Sequence, residues 1–306
     1  MAAPGQQGSS QGTARLMLVL LSIGWGFTWP MMKIALDEVP PLSMRVATLG
    51  LGAATLALLV RLGGRPFALH DGKAIVHVCV AGILNVAAFA LFTAFAQLNA
   101  MTSRVTIVVY SMPIWAGLLA WPILGERFTL RRSLAVLLCA AGLAVLVGPL
   151  LGAGGPGGIL LALGAAVSWA AGTVYLKWAE IKADPITVTF WQLMISVLVV
   201  AAVLPFAEGS PRVPQVSREA ILSLLFVGMI GSGVAYYLWF DAVRRLPTMT
   251  ASLGVLSVPL IGVVASIWLL EERPTLYDII GFGLMLAASA CVLLQQEYQP
   301  RIRPEA

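Results

Sequence analysis

The sequence contains the same pattern twice, once in each half of the chain. Residues 22–35 and residues 166–179 share the spacing of a Trp and a Lys, and a Pro follows at the same distance in both. The pairs at an offset of 144 are Trp25 and Trp169, Lys33 and Lys177, and Pro41 and Pro185. Later in each half, Leu-Gly-Glu-Arg at 124–127 recurs as Leu-Glu-Glu-Arg at 270–273, an offset of 146. A drift of only two residues indicates a duplicated unit, so the chain is expected to fold as two related halves.

The composition places these halves in a membrane. Hydrophobic residues make up 59% of the 306 positions and charged residues 11%, whereas soluble domains have about 25% charged residues. A soluble fold of this composition would lack the polar side chains needed to cover its surface. The net charge of +5 does not indicate nucleic-acid binding, because the basic residues lie in short clusters between apolar runs, where they orient membrane helices.

Ten segments are long and apolar enough to cross a bilayer as helices, which takes about 20 residues. Pro-Pro and Gly-Gly-x-Pro stretches separate several of them, because these residues do not continue a helix. Thr129 with Arg132, and Thr275 with Asp278, stand where the last helix of each half begins, and Thr275 to Asp278 has the form of a capping box. The predicted spans are 16–36, 41–60, 74–97, 102–123, 130–151, 158–177, 185–206, 219–241, 247–270 and 275–295.

These spans predict an all-α membrane protein with two five-helix repeats, residues 15–151 and 158–295. Residues 1–14 are expected to form a disordered lead, and residues 296–306 a short tail. With the N-terminus in the cytoplasm, 13 of the 19 Lys and Arg residues lie inside and the other 6, including Arg45, lie outside, which favours two cytoplasmic termini. Because five is an odd number, the repeats are inverted, and a transporter built in this way binds its substrate in a central cavity between them.

Few polar groups are predicted inside the membrane. No Asp or Glu lies well inside a span, so the sequence offers no carboxylate relay for proton coupling and favours facilitated diffusion or exchange. His77, early in the third span, is the one candidate that titrates near neutral pH, although an interfacial histidine is an equally good interpretation. Cys79, Cys139 and Cys291 lie in apolar runs without metal-ligand spacing. Enzyme motifs are missing, and we expect no enzymatic activity, no metal and no cofactor.

Several aromatic and polar side chains lie in the middle of spans, where their OH and NH groups need hydrogen-bond partners. A wet substrate cavity would supply such partners, and helix packing or an interfacial belt is the alternative. Trp25 and Trp29 are four residues apart and share one helix face, as do Asn85 and Phe89. The predicted cavity residues are Trp25, Trp29, Asn85, Phe89, Tyr110, Ser111, Trp169, Thr173, Tyr236, Tyr237, Trp239 and Ser257.

Four further residues are candidates for gating. Pro113 and Pro259 are predicted to interrupt the fourth and ninth helices at matching depths, which would let these helices flex or would simply fix a kink. Lys33 and Lys177 are equivalent in the two repeats and are expected near opposite faces of the membrane. They either extend to lipid headgroups or act at the two gates.

The doubled pattern resembles the EamA-type drug/metabolite transporters over residues 15–295. The residues that carry the resemblance are Ser-Ile-Gly-Trp-Gly at 22–26, Ser-Trp-Ala at 168–170, Pro113 with 124–127, and Pro259 with 270–273 and Gly281. The resemblance implies inverted five-helix repeats around a cavity lined by helices one, three, four, six, eight and nine, and export of small metabolites from the bacterial cytoplasm. Glu271 departs from the mirror pattern, since the first repeat has Gly125.

Within this family the chain is most similar to the aromatic amino acid and metabolite exporters. A cavity with Trp and Tyr but no buried fixed charge fits a bulky substrate of zero net charge, whereas sugar-phosphate carriers need buried Lys or Arg. We therefore expect a monomeric exporter in the inner membrane for neutral amino acids and related metabolites, surrounded by lipid, with no nucleic-acid partner. A multidrug exporter of lipophilic cations and a scaffold that transports nothing remain the alternatives.

Overall fold

The computed structural model describes residues 4–69, 71–125, 129–151, 156–208, 216–239 and 248–293. These ranges contain helices and no strand, which confirms the predicted all-α class. We number the helices in chain order. They are α1 (Pro4–Leu36), α2 (Pro41–Leu62), α3 (Gly72–Asn99), α4 (Thr102–Leu124), α5 (Leu130–Leu150), α6 (Gly157–Ala179), α7 (Pro185–Ala207), α8 (Arg218–Trp239), α9 (Thr248–Leu269) and α10 (Leu276–Leu293).

The helix ends agree with the predicted spans to within two residues wherever the structure describes them, except at the start of α1. The backbone is already helical from Pro4, where the sequence predicted a disordered lead. By length and composition, α1 to α8 can each cross a membrane, and α9 and α10 contribute the shorter apolar stretches Leu256–Leu269 and Leu276–Cys291. The predicted tail, residues 296–306, lies outside the described residues.

Side-chain caps explain where the last helix of each half begins. The Thr129 hydroxyl accepts a hydrogen bond from the Arg132 NH at 3.4 Å. The Asp278 carboxylate accepts one from the Thr275 NH at 2.7 Å, and the Asp278 NH donates to the Thr275 hydroxyl at 3.4 Å. This reciprocal pair satisfies two backbone NH groups that the helix itself leaves unpaired, and it confirms the predicted capping box.

The helices of the two halves are interleaved. The repeat relates α1 to α6, α2 to α7, α3 to α8, α4 to α9 and α5 to α10. Helix α1 packs against α8 and α9, and its counterpart α6 packs against α3 and α4. Helix α2 packs against α7, and α5 against α10. Each of these interfaces joins the first half to the second, so the halves pack as one unit.

Two helices contain a π-helical segment at matching positions in the repeat. The segments are Gly82–Ala88 in α3 and Phe226–Val234 in α8. A π-helical turn bonds each NH to a carbonyl five residues earlier, which disturbs the regular pairing and leaves backbone groups available to neighbours. The Ser196 hydroxyl of α7 donates to the Gly82 carbonyl at 3.0 Å, and side chains of α6 and α1, described below, bind two further carbonyls of these segments.

We call the end of the bundle where α1 begins the near end, and the end where α1 finishes the far end. Successive helices run in opposite directions, so α2, α4, α6, α8 and α10 begin at the far end. Because each half contains five helices, the second half starts from the opposite side to the first, as the inverted repeats require.

Candidate functional site

Four of the predicted cavity residues meet between α3 and α6. The rings of Phe89 and Trp169 pack edge to face with their centroids 5.0 Å apart. The Thr173 hydroxyl lies 3.4 Å from the Asn85 side-chain oxygen and donates to the Trp169 carbonyl at 2.8 Å. Ser168, next to Trp169, donates to the Leu84 carbonyl in the π-helical segment at 2.6 Å. The sequence therefore identified residues that form one contact between the two halves.

The equivalent contact joins α1 to α8. The Trp25 indole NH donates to the Gly231 carbonyl of the second π-helical segment at 3.1 Å. The Trp25 ring also packs against Tyr236 and Trp239, with centroids 5.6 and 6.0 Å away. The polar atom of Trp25 thus has a backbone partner, which the sequence could not reveal because a π-helical segment has no simple sequence pattern.

Trp29 and Tyr110 form a third aromatic pair, between α1 and α4, with centroids 6.2 Å apart. Helix α4 breaks at Tyr110 and Ser111, two residues before Pro113. The Ser111 hydroxyl donates to the Val108 carbonyl at 2.6 Å, so the break is hydrogen-bonded locally. This is the interruption that Pro113 predicted.

The second predicted interruption is not present. Helix α9 runs unbroken from Thr248 to Leu269 through Pro259, so the expectation of matching breaks is wrong for the second half. One proline inside a helix removes a single backbone donor, and α9 packs against α1. Ser257, on the preceding turn of α9, is half-buried.

Three predicted residues lie away from the aromatic contacts. Tyr237 faces α2 and the Arg65 guanidinium, which lies 5.8 Å from the centre of its ring. Lys33 forms an ion pair with Asp37 on the last turn of α1, at the far end. Lys177 is exposed on the last turns of α6, at the near end. The two lysines therefore lie at opposite ends, as predicted.

The charge pattern of the sequence places Arg45 among the basic residues on the outer side of the membrane. In the structure its side chain is instead buried between helices and only 7% exposed. Its guanidinium donates to the Ala90 carbonyl at 2.8 Å and to the Thr93 hydroxyl at 2.6 Å, and it contacts the Met32 sulfur at 2.6 Å. The expectation of no buried fixed charge is therefore wrong. Position 45 lies one helical turn after Pro41 and therefore inside the predicted span, and this placement is the sequence feature that indicates burial.

Two carboxylates at the far end cap helices of the other half. Glu208, just after α7, accepts hydrogen bonds from the backbone NH and hydroxyl of Ser43 in the first turn of α2, at 3.0 and 2.7 Å. Glu272, just before α10, accepts from the backbone NH groups of Thr102 and Ser103 at the start of α4, the latter at 2.9 Å. Negative charge at a helix N-terminus is favourable, so both contacts hold the halves together at this end.

Two further contacts join the halves at the far end. Arg104 of α4 forms a bidentate ion pair with Asp278 of α10, with N–O distances of 2.5 and 3.0 Å. Glu38, between α1 and α2, accepts from the hydroxyl and the backbone NH of Ser217 at the start of α8. These hydrogen bonds, first that from the hydroxyl and then that from the NH, hold the pKa of Glu38 below its usual value.

The near end contains a cavity of about 590 Å³. It lies between the segment that joins α2 to α3 and the segment that joins α6 to α7. His77 lines it and hydrogen-bonds the Tyr175 hydroxyl at 2.8 Å, and Arg65 pairs with Asp184 beside it at 2.7 Å. The charged lining residues are Asp71, Lys73, Glu180, Lys182 and Asp184. His77 therefore lies at the near end of the bundle and not on the central aromatic contacts.

The fold and these contacts define a membrane protein of ten helices in two inverted repeats, joined across its centre by aromatic pairs. A search of known protein families places both repeats in one family. The profile of the EamA-like transporter family matches residues 12–148 and again residues 156–294. The chain belongs to this family of membrane transporters.

Relatives with similar sequences cover nearly the whole chain. The uncharacterized transporter YvbV of Bacillus subtilis is 30% identical over 284 residues, which are 91% of this chain and 90% of YvbV. A "probable amino-acid metabolite efflux pump" of Escherichia coli is 22% identical and covers 89% of this chain and 91% of its own length. A protein of known crystal structure superposes with a TM-score of 0.65 at 22% identity, covering 92% of this chain and 97% of its own.

Proposed function

We propose that this chain exports neutral amino acids, including aromatic ones, and related small metabolites across the bacterial inner membrane. The observation that carries this proposal is the pair of aromatic contacts between the halves, Trp25 with Tyr236 and Phe89 with Trp169. Edge-to-face rings offer apolar surface and ring faces to a bulky side chain. The name of the Escherichia coli relative supports amino-acid metabolites as the substrate class.

Transport proceeds by alternating access, in which the two halves rock against each other. The carboxylate contacts of Glu208 and Glu272 hold the far end closed, and the cavity beside His77 lies at the near end. To release substrate, the far-end contacts break while the near end closes. The break in α4 before Pro113 and the lysines Lys33 and Lys177 act where these movements occur, and Pro259, which removes one backbone hydrogen bond from α9, lets that helix bend with them.

The near end faces the cytoplasm in this proposal, since both termini are cytoplasmic, and the protein works as a monomer. Among the side chains that the structure describes, each carboxylate lies in a loop or in the first or last turns of a helix. Transport therefore runs by facilitated diffusion or exchange, without a carboxylate relay for protons.

The proposal is tested by efflux from proteoliposomes that contain only this protein. Vesicles are loaded with a mixture of amino acids, other metabolites and a lipophilic cation, and the released compounds are measured with and without a pH gradient. Selective efflux of neutral amino acids that ignores the gradient supports the proposal. Acceleration by the gradient would replace the facilitative mechanism with proton coupling, for which His77 is the first candidate.

Two other outcomes would overturn the proposal. Efflux of the lipophilic cation alone would indicate a multidrug exporter. No efflux of any compound, from protein that unfolds cooperatively and is therefore folded, would indicate a scaffold. Where efflux is seen, a Trp169→Ala variant is the comparison: loss of selective efflux from a variant that still unfolds cooperatively supports a substrate contact, whereas lower stability with unchanged efflux indicates a packing role.

A further inference from the structure

The buried guanidinium of Arg45 has only neutral partners. It contacts a backbone carbonyl, a hydroxyl and a thioether, and no carboxylate lies within 4.0 Å of it among the described side chains. At the start of the same helix, the Glu208 carboxylate accepts hydrogen bonds from the backbone NH groups of Leu42 and Ser43. A buried cation without an anion is strongly disfavoured unless it has a function.

We propose that Arg45 binds the carboxylate of the transported amino acid and that the side-chain oxygen of Gln97 accepts a hydrogen bond from its ammonium group. This inference rests on the proposed function and names the part of the substrate that is recognised. A guanidinium presents two parallel NH groups that match the two oxygens of a carboxylate.

Gln97 supplies the second, independent observation. Its side chain is 1% exposed, and its NH₂ group donates to the Trp29 carbonyl at 3.0 Å. Its side-chain oxygen is buried and has no hydrogen-bond partner among the residues that the structure describes. Such an acceptor is costly to leave unpaired, and a substrate ammonium group would satisfy it. The substrate would thus satisfy both groups, the cation without an anion and the acceptor without a donor.

The two groups lie on the path to the aromatic contacts. Phe89 and Thr93, and likewise Thr93 and Gln97, are four residues apart on α3, so each pair lies on neighbouring turns of the same side. Thr93 contacts Arg45, and Phe89 contacts Trp169. One turn of helix, about 6 Å, separates the level of Thr93 from that of Phe89. An amino acid held by its carboxylate at Arg45 therefore extends its side chain towards the aromatic rings.

Met32 occupies the position next to the guanidinium that the carboxylate would take. Thioether sulfur is a weak acceptor, and a Met side chain has several rotatable bonds and adapts easily. Replacement of this contact by a carboxylate exchanges a weak partner for a charged one.

The repeat argues against an inherited packing role for this cluster. At the offsets of 144 and 146 the second half has Thr189 in place of Arg45 and Trp239 in place of Thr93. A packing role inherited from the duplicated unit would be expected in both halves. A buried cation that is present in one half and absent from the other fits a function, such as ligand binding, that requires a single site. It also disfavours lipophilic cations as substrates, because the positive charge would repel them.

The test measures ligand-induced stabilisation of the purified full chain. The probes are L-phenylalanine, L-phenylalaninamide, which lacks the carboxylate, and 3-phenylpropionate, which lacks the ammonium group. For the unmodified protein we expect the unfolding midpoint to rise with phenylalanine and, less, with phenylpropionate, and to be unchanged by the amide. Equal stabilisation by the acid and the amide would overturn the proposal without any variant.

Variants locate the effect at Arg45. Arg45→Gln is expected to weaken phenylalanine binding at least about tenfold and to abolish the preference for the acid over the amide. Arg45→Lys, which keeps the charge, is expected to retain the preference at lower affinity, and it remains informative if Arg45→Gln does not fold. Arg61→Gln, at the exposed end of the same helix, is the matched control and is expected to bind as the unmodified protein does. An unchanged preference in Arg45→Gln would overturn the proposal.

Failure of the proposed function gives a different result. If phenylalanine crosses proteoliposomes but the amide binds equally well, the transport function stands and the role of Arg45 does not. If phenylalanine neither binds nor crosses while phenylpropionate binds through Arg45, the carboxylate site stands and amino-acid export does not. If no carboxylate binds, the role of Arg45 is contradicted.

Discussion

Gly172 of α6 lies against Asn85 of α3 so closely that a Cβ atom on the glycine would be 2.8 Å from the Asn85 Cβ. The equivalent contact in the other half, between α1 and α8, is equally close: a Cβ atom on Gly231 of α8 would be 2.6 Å from the Thr28 hydroxyl of α1. Thr28 corresponds to Gly172, and Asn85 corresponds to Gly231, at offsets of 144 and 146. Each of these two helix–helix contacts therefore contains one glycine, which belongs to α6 in the first contact and to α8 in the second.

This close approach predicts the effect of a single methyl group. Gly172→Ala is expected to push α6 away from the α3 backbone and to destabilise the protein by about 1–3 kcal/mol, with loss of flux as Phe89 and Trp169 separate. Thermal unfolding and proteoliposome efflux measure the two effects. Gly164→Ala, on the same helix, is the control because its new Cβ would meet the Phe92 ring at an ordinary 3.4 Å. Equal stability of the two variants would contradict the packing argument.

The far-end cap of α4 predicts a different behaviour for two adjacent glutamates. Glu272→Gln removes the negative charge at the N-terminus of α4, and we expect it to cost about 0.5–1 kcal/mol. Because this contact closes the far end, a cysteine introduced beside it should also react faster with a membrane-impermeant thiol reagent. Glu271→Gln is the control, since Glu271 is exposed. If both variants react at the same rate, Glu272 does not hold the far end closed.

The hydrogen bond from the Trp25 indole NH predicts that removal of this one donor lowers the stability of the protein. Trp25→Phe keeps a ring against Tyr236 but leaves the Gly231 carbonyl without its donor, and we expect destabilisation of about 1 kcal/mol. Trp268→Phe, at an exposed position on α9, should change the unfolding midpoint much less. Equal midpoints would show that the π-helical carbonyl does not need Trp25.

Glu38 predicts a dependence of stability on pH. Its pKa is held below the usual value of 4.5 by hydrogen bonds from Ser217, so the ionised form favours the folded state. The contribution is present above pH 4.5 and decreases as the pH falls through the lower, folded-state pKa. Glu38→Gln should therefore be less stable than the unmodified protein near neutral pH and equally stable under acidic conditions. A difference that does not change with pH would contradict this account.

The sequence predicted the features that depend on apolar length and on local breakers of helices. The ten spans, the cap formed by Thr275 and Asp278, and the shared helix face of Asn85 and Phe89 follow from patterns within a few turns of helix. The burial of Arg45 was missed because Met32 and Thr93, which surround it, come from two other helices. The carbonyl that binds Trp25 was missed for the same reason, since it is freed by a π-helical segment about 200 residues away in the chain.

The difference between Pro113 and Pro259 makes the same point. Both prolines remove one backbone donor, but α4 breaks and α9 does not. Tyr110 at the break receives a hydrogen bond from Ser289 of α10 at 2.9 Å, a partner that the local sequence of α4 does not contain. The response of a helix to proline is therefore set by its neighbours.

The most direct test of the account is counterflow of labelled L-phenylalanine in proteoliposomes. Vesicles loaded with excess unlabelled phenylalanine should take up the label transiently and faster than empty vesicles, and a pH gradient should not change the rate. This result is expected of alternating access without proton coupling. Uptake that requires a pH gradient, or no difference between loaded and empty vesicles, would contradict it.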